Sequence, residues 1–111
     1  MNEYIEDKRF STKLRIVENV LREKTRWSVS APDNEVTWIK VHQVVSQYLF
    51  NLWRSGGLKG SDRQQAYFVR CDRTTMTNVD IADGRVNIVI GLAFNRPTDF
   101  TILKISHQAS A

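Results

Sequence analysis

Cysteine is nearly absent from this sequence. Cys71 stands alone among 111 residues, which excludes an intrachain disulfide and any cysteine-rich zinc site. Histidine is almost as scarce, with His42 and His107 only, and no spacing sets either beside Cys71. A nucleophilic thiol needs a positioned base, so Cys71 reads as a small buried residue in a strand. No apolar run approaches the ~20 residues that span a bilayer. Met1 to Phe10 is polar and charged, without the apolar stretch of a secretion signal. That pattern suits a protein that is cytoplasmic or assembles there. No P-loop, GxGxxG, HExxH, GxSxG or metal-spaced His/Cys set occurs. Neither an enzymatic activity nor a cofactor is expected: catalytic residues, none; metal ligands, none.

What is present is an ordinary globular balance, 41% hydrophobic and 25% charged residues, in a length suited to one domain. The net charge is +4, which favours an acidic partner. The basic residues are scattered and early on alternate with acids, as on a solvated helix face. They carry no DNA- or RNA-binding signature. Trp38 and Trp53 lie on or beside an apolar helical stripe, which favours core packing over base stacking.

Along the chain, Ser11 or Thr12 can cap a first helix running to about Lys24, with Leu14, Val17 and Leu21 at helical spacing. A connector follows from Trp27 to Asn34, and Asp33 or Asn34 can cap the next helix after Pro32. That second helix, from Glu35 to Ser55, carries Trp38, Val41, Val45, Leu49 and Leu52 in steps of three and four, and Gly56-Gly57 ends it. The glycines in Gly56-Gly-Leu-Lys59-Gly60 follow a helix and do not join strand to helix, so they read as a C-cap and not a phosphate loop. Ser61-Asp-Arg-Gln64 has capping-box spacing for a one-turn helix.

The period then changes from helical to alternating. Tyr67–Asp72, Arg85–Phe94 and Phe100–Ser106 read as strands, with a short helical turn closed by Gly84 between the first two and a turn at Asn95–Asp99. Asp80 and Asp83 read as caps of that helical turn. Residues 107–111 read as a frayed tail. The fold class expected is α+β, two amphipathic helices packed on a small, mainly antiparallel sheet with edges open to strand addition. Val86, Ile88, Val89 and Ile90, then Phe100, Ile102, Leu103 and Ile105, make the later strands apolar on both faces. One helical layer covers one face only, so the pattern itself suggests self-association.

Four stretches also resemble contractile phage tail sheath proteins, in the order that family shows. Thr25-Arg-Trp27-Ser-Val-Ser-Ala-Pro32-Asp-Asn34-Glu35-Val-Thr-Trp38 is similar to T-x-W-x-x-F-x-P-N-x-x-x-x-W, with Ser30 where the family has Phe. Leu52-Trp53-Arg54-Ser55-Gly56-Gly57-Leu58-Lys59-Gly60 resembles L-W-R-x-G-A-L-x-G. Ala66-Tyr67-Phe68-Val69-Arg70-Cys71-Asp72, then Thr74-Thr75, resembles A-F-F-V-x-C-D-x-T-T. Asp80 to Ala93, then Arg96-Pro97 and Phe100, resembles D-I-x-x-G-R-L-N-I-x-I-G-V-A followed by R-P-A-E-F.

The resemblance implies the family's C-terminal, polymerising domain over residues 1–111, a structural subunit whose neighbours exchange strands around an inner tube so that the sheath contracts as a mesh. It implies an inter-subunit donor strand at Phe100, Thr101, Ile102, Leu103, Lys104 and Ile105. Accepting edges would lie at Phe68, Val69 and Arg70, or at Val86, Ile88 and Ile90. Arg54, Lys59 and Arg63 are candidates for contact with an acidic tube. The partners implied are further copies of the subunit, the inner tail tube protein and the baseplate, with no membrane and no nucleic acid. The place implied is a virion tail, or a related contractile particle such as a bacteriocin, assembled in the bacterial cytoplasm. Family members carry large domains before this region, so the chain corresponds to an expressed domain, a fragment or a short relative. A baseplate sheath-initiator-like protein, and in a different class a small basic nucleic-acid-binding module, are the alternatives.

Overall fold

A computed structural model describes residues 2–108, with side chains over residues 12–108. The order is α1 (Asn2–Thr25), a 3-10 turn (Arg26–Ser30), α2 (Glu35–Arg54), α3 (Arg63–Ala66), β1 (Tyr67–Arg70), α4 (Asn78–Ala82), β2 (Arg85–Leu92) and β3 (Thr101–Gln108). This is the expected α+β class with an antiparallel meander in the order β1-β2-β3. Several boundaries move. Strand β1 ends at Arg70 and β2 at Leu92, so Cys71 lies just past its strand, and α3 is capped by Asp62 and not by Ser61. Helix α1 starts well before Ser11 and Thr12, so neither is its cap; the acids and bases of the preceding segment are good helix formers. Strand β3 continues through His107 and Gln108, which pair with Val86 and Arg85, while positions 109–111 of the expected tail lie outside the described residues.

Helix α2 is specified at both ends. The Asn34 side chain accepts from the backbone N–H of Val36 and of Thr37, filling two of the four donors that a helix start leaves open. At the other end Gly56 takes a φ of +92°, Gly56 N–H donates to Trp53 O, and Gly57 N–H donates to Leu52 O. These two bonds form a Schellman closure, which needs the left-handed residue that glycine supplies. Between the caps, Trp38, Val41, Val45 and Leu49 are buried against the sheet. Each such side chain contributes roughly 1.5–3 kcal/mol through its removal from water. The Trp38 indole N–H is not wasted in that setting, since it donates to Asp33 Oδ1 at 2.7 Å.

Strand β2 alternates with period two. Val86, Ile88, Ile90 and Leu92 point at the helices and are fully buried, joined there by Leu103 and Ile105 of β3. Helix α4 is closed by a capping box between Thr77 and Asp80, and the Asp80 carboxylate also holds Arg85 and Asn87. The bond from the Thr77 backbone, then that from Arg85, holds the Asp80 carboxyl below the usual carboxylate range. Asp80 is thus a structural cap, as its spacing suggests.

Candidate functional site

Strand addition needs a free edge, and the register shows where one exists. Strand β2 is central: Tyr67↔Leu92 to Arg70↔Val89 pair it on one side, and Arg85↔Gln108 to Leu92↔Thr101 on the other. Val86, Ile88 and Ile90 therefore present no open edge while β3 is in place, and would accept a neighbour's strand only where it replaced β3. The part of β2 beyond the end of β1 is also engaged, because Thr75 Oγ1 donates to Asn87 O and Asn87 Nδ2 donates to Thr75 O. The open sides of the sheet are those of its outer strands.

The outer side of β1 holds Phe68 and Val69, half-buried, and Arg70, exposed. Beside it runs a groove of about 710 Å³ between β1 and the solvent side of α2, lined by His42, Ser46, Gln47, Phe50, Arg63 and Tyr67 among others. Its walls come from α2, α3 and β1, with the polar side chains of His42, Ser46, Gln47 and Arg63 set among Phe50, Tyr67, Phe68 and Val69. The groove is open to solvent.

The donor residues all lie in or at the start of β3, paired with the chain's own β2. Leu103 and Ile105 are part of the core, Thr101 and Phe100 are half-buried, and Ile102 and Lys104 are exposed. The far end of the strand is held by its neighbours. His107 Nε2 lies 2.8 Å from Thr25 Oγ1, whose own proton goes to Leu21 O at 2.7 Å. Burial, then the charges of Arg22 and Arg26, push the His107 pKa down.

Arg54, Lys59 and Arg63 are all exposed along the path from the end of α2 to α3. That path is pinned by Lys59 N–H donating to Ala93 O and by the Trp53 indole donating to Gly60 O. Cys71 is buried, and its thiol is pushed up to about 12 by burial first and by Asp72 and Asp33 next, which removes any nucleophilic character at neutral pH. Among the described residues no cluster of His, Cys, Asp or Glu could hold a metal ion.

Two features were missed by reading the residues in order. One is the Thr25–His107 contact. The other is the packing over Gly91, where a Cβ would fall inside the Phe68 ring. A glycine within an apolar strand is a known sign of such close approach, and it was the available signal.

No family model and no curated protein matches the chain. Solved structures do. One is a chain of the anti-feeding prophage (AFP) baseplate, 6-fold symmetrised, at 34% identity with a TM-score of 0.69 over 84% of this chain and 26% of that one. Another belongs to an extracellular contractile injection system, the PVC sheath complex in its contracted state, at 42% identity and TM-score 0.56 over 68% of this chain and 22% of that one. The chain thus spans about a quarter of the length of the chains it matches. It is similar, in sequence as well as fold, to parts of contractile injection assemblies.

Proposed function

We propose that this chain is the polymerising domain of a contractile sheath, a structural subunit joined to its neighbours by exchange of sheet strands around an inner tube. The observation that carries the reading is the likeness to the contracted sheath complex, at 42% identity over 68% of the chain. The physical picture agrees with it. Strand β3 is an outer strand with one strand neighbour, and it presents Leu103 and Ile105 to the core in fixed alternation. A neighbour's copy of the strand could occupy the same register on β2 with the same buried side chains, so exchange conserves the contacts and alters only which chain supplies them. A second route leaves β3 in place and adds a neighbour's extended segment along β1. In either case Arg54, Lys59 and Arg63 are the positions offered to an acidic tube surface, and assembly would place the chain in the tail of a phage or related particle.

The test follows from the register. Val89 and Lys104 are direct cross-strand partners on the sheet face away from the helices. A Val89→Cys/Lys104→Cys variant oxidised in the assembled or concentrated protein should give covalent multimers if β3 is exchanged. Bonds formed only within single chains, in assembled material, would refute exchange of β3. The baseplate likeness favours a second reading, a sheath-initiator-like subunit. Electron microscopy of labelled particles separates the two, since an initiator would be confined to the baseplate end.

A further inference from the structure

Among the described residues, the sheet has a second face that no helix layer covers. Its side chains follow from the register. Phe68, Gly91 and Ile102 form one row across the strands, and Arg70, Val89 and Lys104 form the next. Phe100 meets Phe68 edge-on at 5.1 Å between ring centroids. Ile102 is 48% exposed, and Phe68, Val89 and Phe100 are half-buried around it. Beyond these rows the face turns polar at Asn87 and Ser106, which bond to each other. The apolar ground is thus confined to one end and bordered by two exposed cations.

We infer that this face docks an acidic segment of a partner protein, apolar side chains seating on Phe68, Val89 and Ile102 while carboxylates meet Arg70 and Lys104. The charge pattern selects that occupant. Arg70 and Lys104 flank Val89 on either side, and neither forms an ion pair among the described residues. Arg70 acts on Asp72, but that carboxyl is lowered mainly by its bond from Thr74 and only secondarily by Arg70. A second copy presenting the same face would bring like charges together, which costs binding energy. Nucleic acid fits less well, because it would need a free aromatic face. The Phe68 ring lies against Gly91, has the Arg70 guanidinium 5.7 Å from its centroid, and takes Phe100 at its edge. The inference is independent of strand exchange, which uses the edges of the sheet and not this face.

The probe is a synthetic amphipathic helical peptide of leucine and glutamate, titrated into the isotopically labelled full chain and followed by amide chemical shifts. Shifts should concentrate at positions 68–70, 89–91 and 100–104, and binding should weaken as salt is raised. Arg70→Glu/Lys104→Glu should weaken it by about tenfold or more, and Ile102→Ser should weaken it without changing the salt slope. Both cations are exposed, so these variants keep the fold, as their amide spectra will check; Arg70→Gln/Lys104→Gln serves if charge reversal disturbs it. Equal binding of a leucine–lysine peptide, or shifts centred elsewhere, would overturn the proposal. So would oligo-thymidylate moving the same amides as strongly, which would assign the face to single-stranded nucleic acid.

Discussion

The hydroxyl of Thr25, at the last turn of α1, lies 2.8 Å from Nε2 of His107 near the end of β3, 82 positions later in the chain. Thr25 is fully buried and spends its own proton on Leu21 O, so only its lone pair is left for the imidazole. The bond thereby requires a proton on Nε2, so that the neutral ring is the Nε2–H tautomer. It also ties the terminal strand to the first helix.

A pH dependence follows from that contact. Burial and the positive charges of Arg22 and Arg26 lower the His107 pKa in the folded chain, so the unfolded chain binds the proton more readily. The stability conferred is fully present above the unfolded value of about 6.5 and is lost as pH falls through the lower folded value. Denaturant midpoints should therefore drop from pH 7 towards about pH 5. His107→Gln keeps a donor for Thr25 and should flatten that slope. Thr25→Val should cost about 1–2 kcal/mol at neutral pH by leaving a partly buried N–H without an acceptor. A His107→Gln variant with an unchanged slope would place the dependence elsewhere.

Local pattern carried much of the fold, for reasons visible in single residues. Asn34, Gly56 and Asp80 act on backbone groups within three residues or so, and their effects are readable from spacing, whereas Thr77, the other half of the Asp80 capping box, was not singled out. Val86, Ile88 and Ile90 alternate because the pleat alternates. The sheet edges were less legible. Nothing in the residues of β2 says that it is the central strand; that depends on where β3 returns, which is a long-range choice. The uncovered face was visible only as an excess of apolar residues. Its division into an apolar end with Arg70 and Lys104 at the border, and a polar end at Asn87 and Ser106, needs the cross-strand register. The Thr25–His107 bond has no local signature at all.

Cys71 should be inert in the native protein. With its thiol pushed up to about 12 and its side chain buried, alkylation by iodoacetamide in mildly alkaline buffer should proceed only as fast as the chain opens. The rate should rise steeply with denaturant. Rapid labelling without denaturant would contradict the burial described.

Thr98 holds a φ of +63°, a conformation that a β-branched residue enters at a cost. The turn needs it there, since Thr98 N–H donates to Gln65 O at 2.8 Å and so docks the β2–β3 connection on α3. Asparagine tolerates this region and keeps the N–H. Thr98→Asn should stabilise the chain by about 1 kcal/mol, and Thr98→Val should not. Thermal denaturation of the pair of variants checks this, with an equal effect of both pointing to the side chain and away from the backbone.

Gly91 is the position where the sheet's two faces depend on one another. Its Cα faces Phe68 across the β1–β2 pairing, and an added Cβ would overlap the ring, which is itself packed on Phe100. The inner side offers no relief, because Ile90 and Leu92 on either side are locked into the core. Gly91→Ala should therefore displace the ring outward and cost about 1–3 kcal/mol, the usual range for overpacking. If the clash is the cause, Phe68→Ala/Gly91→Ala should be less destabilised than the sum of the single changes, giving a coupling energy of about 1 kcal/mol or more. Additive costs would mean that Gly91 is needed for its backbone alone. The same double variant strips the outer face of the Phe68 ring while leaving Phe100, Arg70 and Lys104 in place. It should therefore keep the salt dependence of acidic-peptide binding while lowering its strength, separating the apolar from the ionic half of that surface.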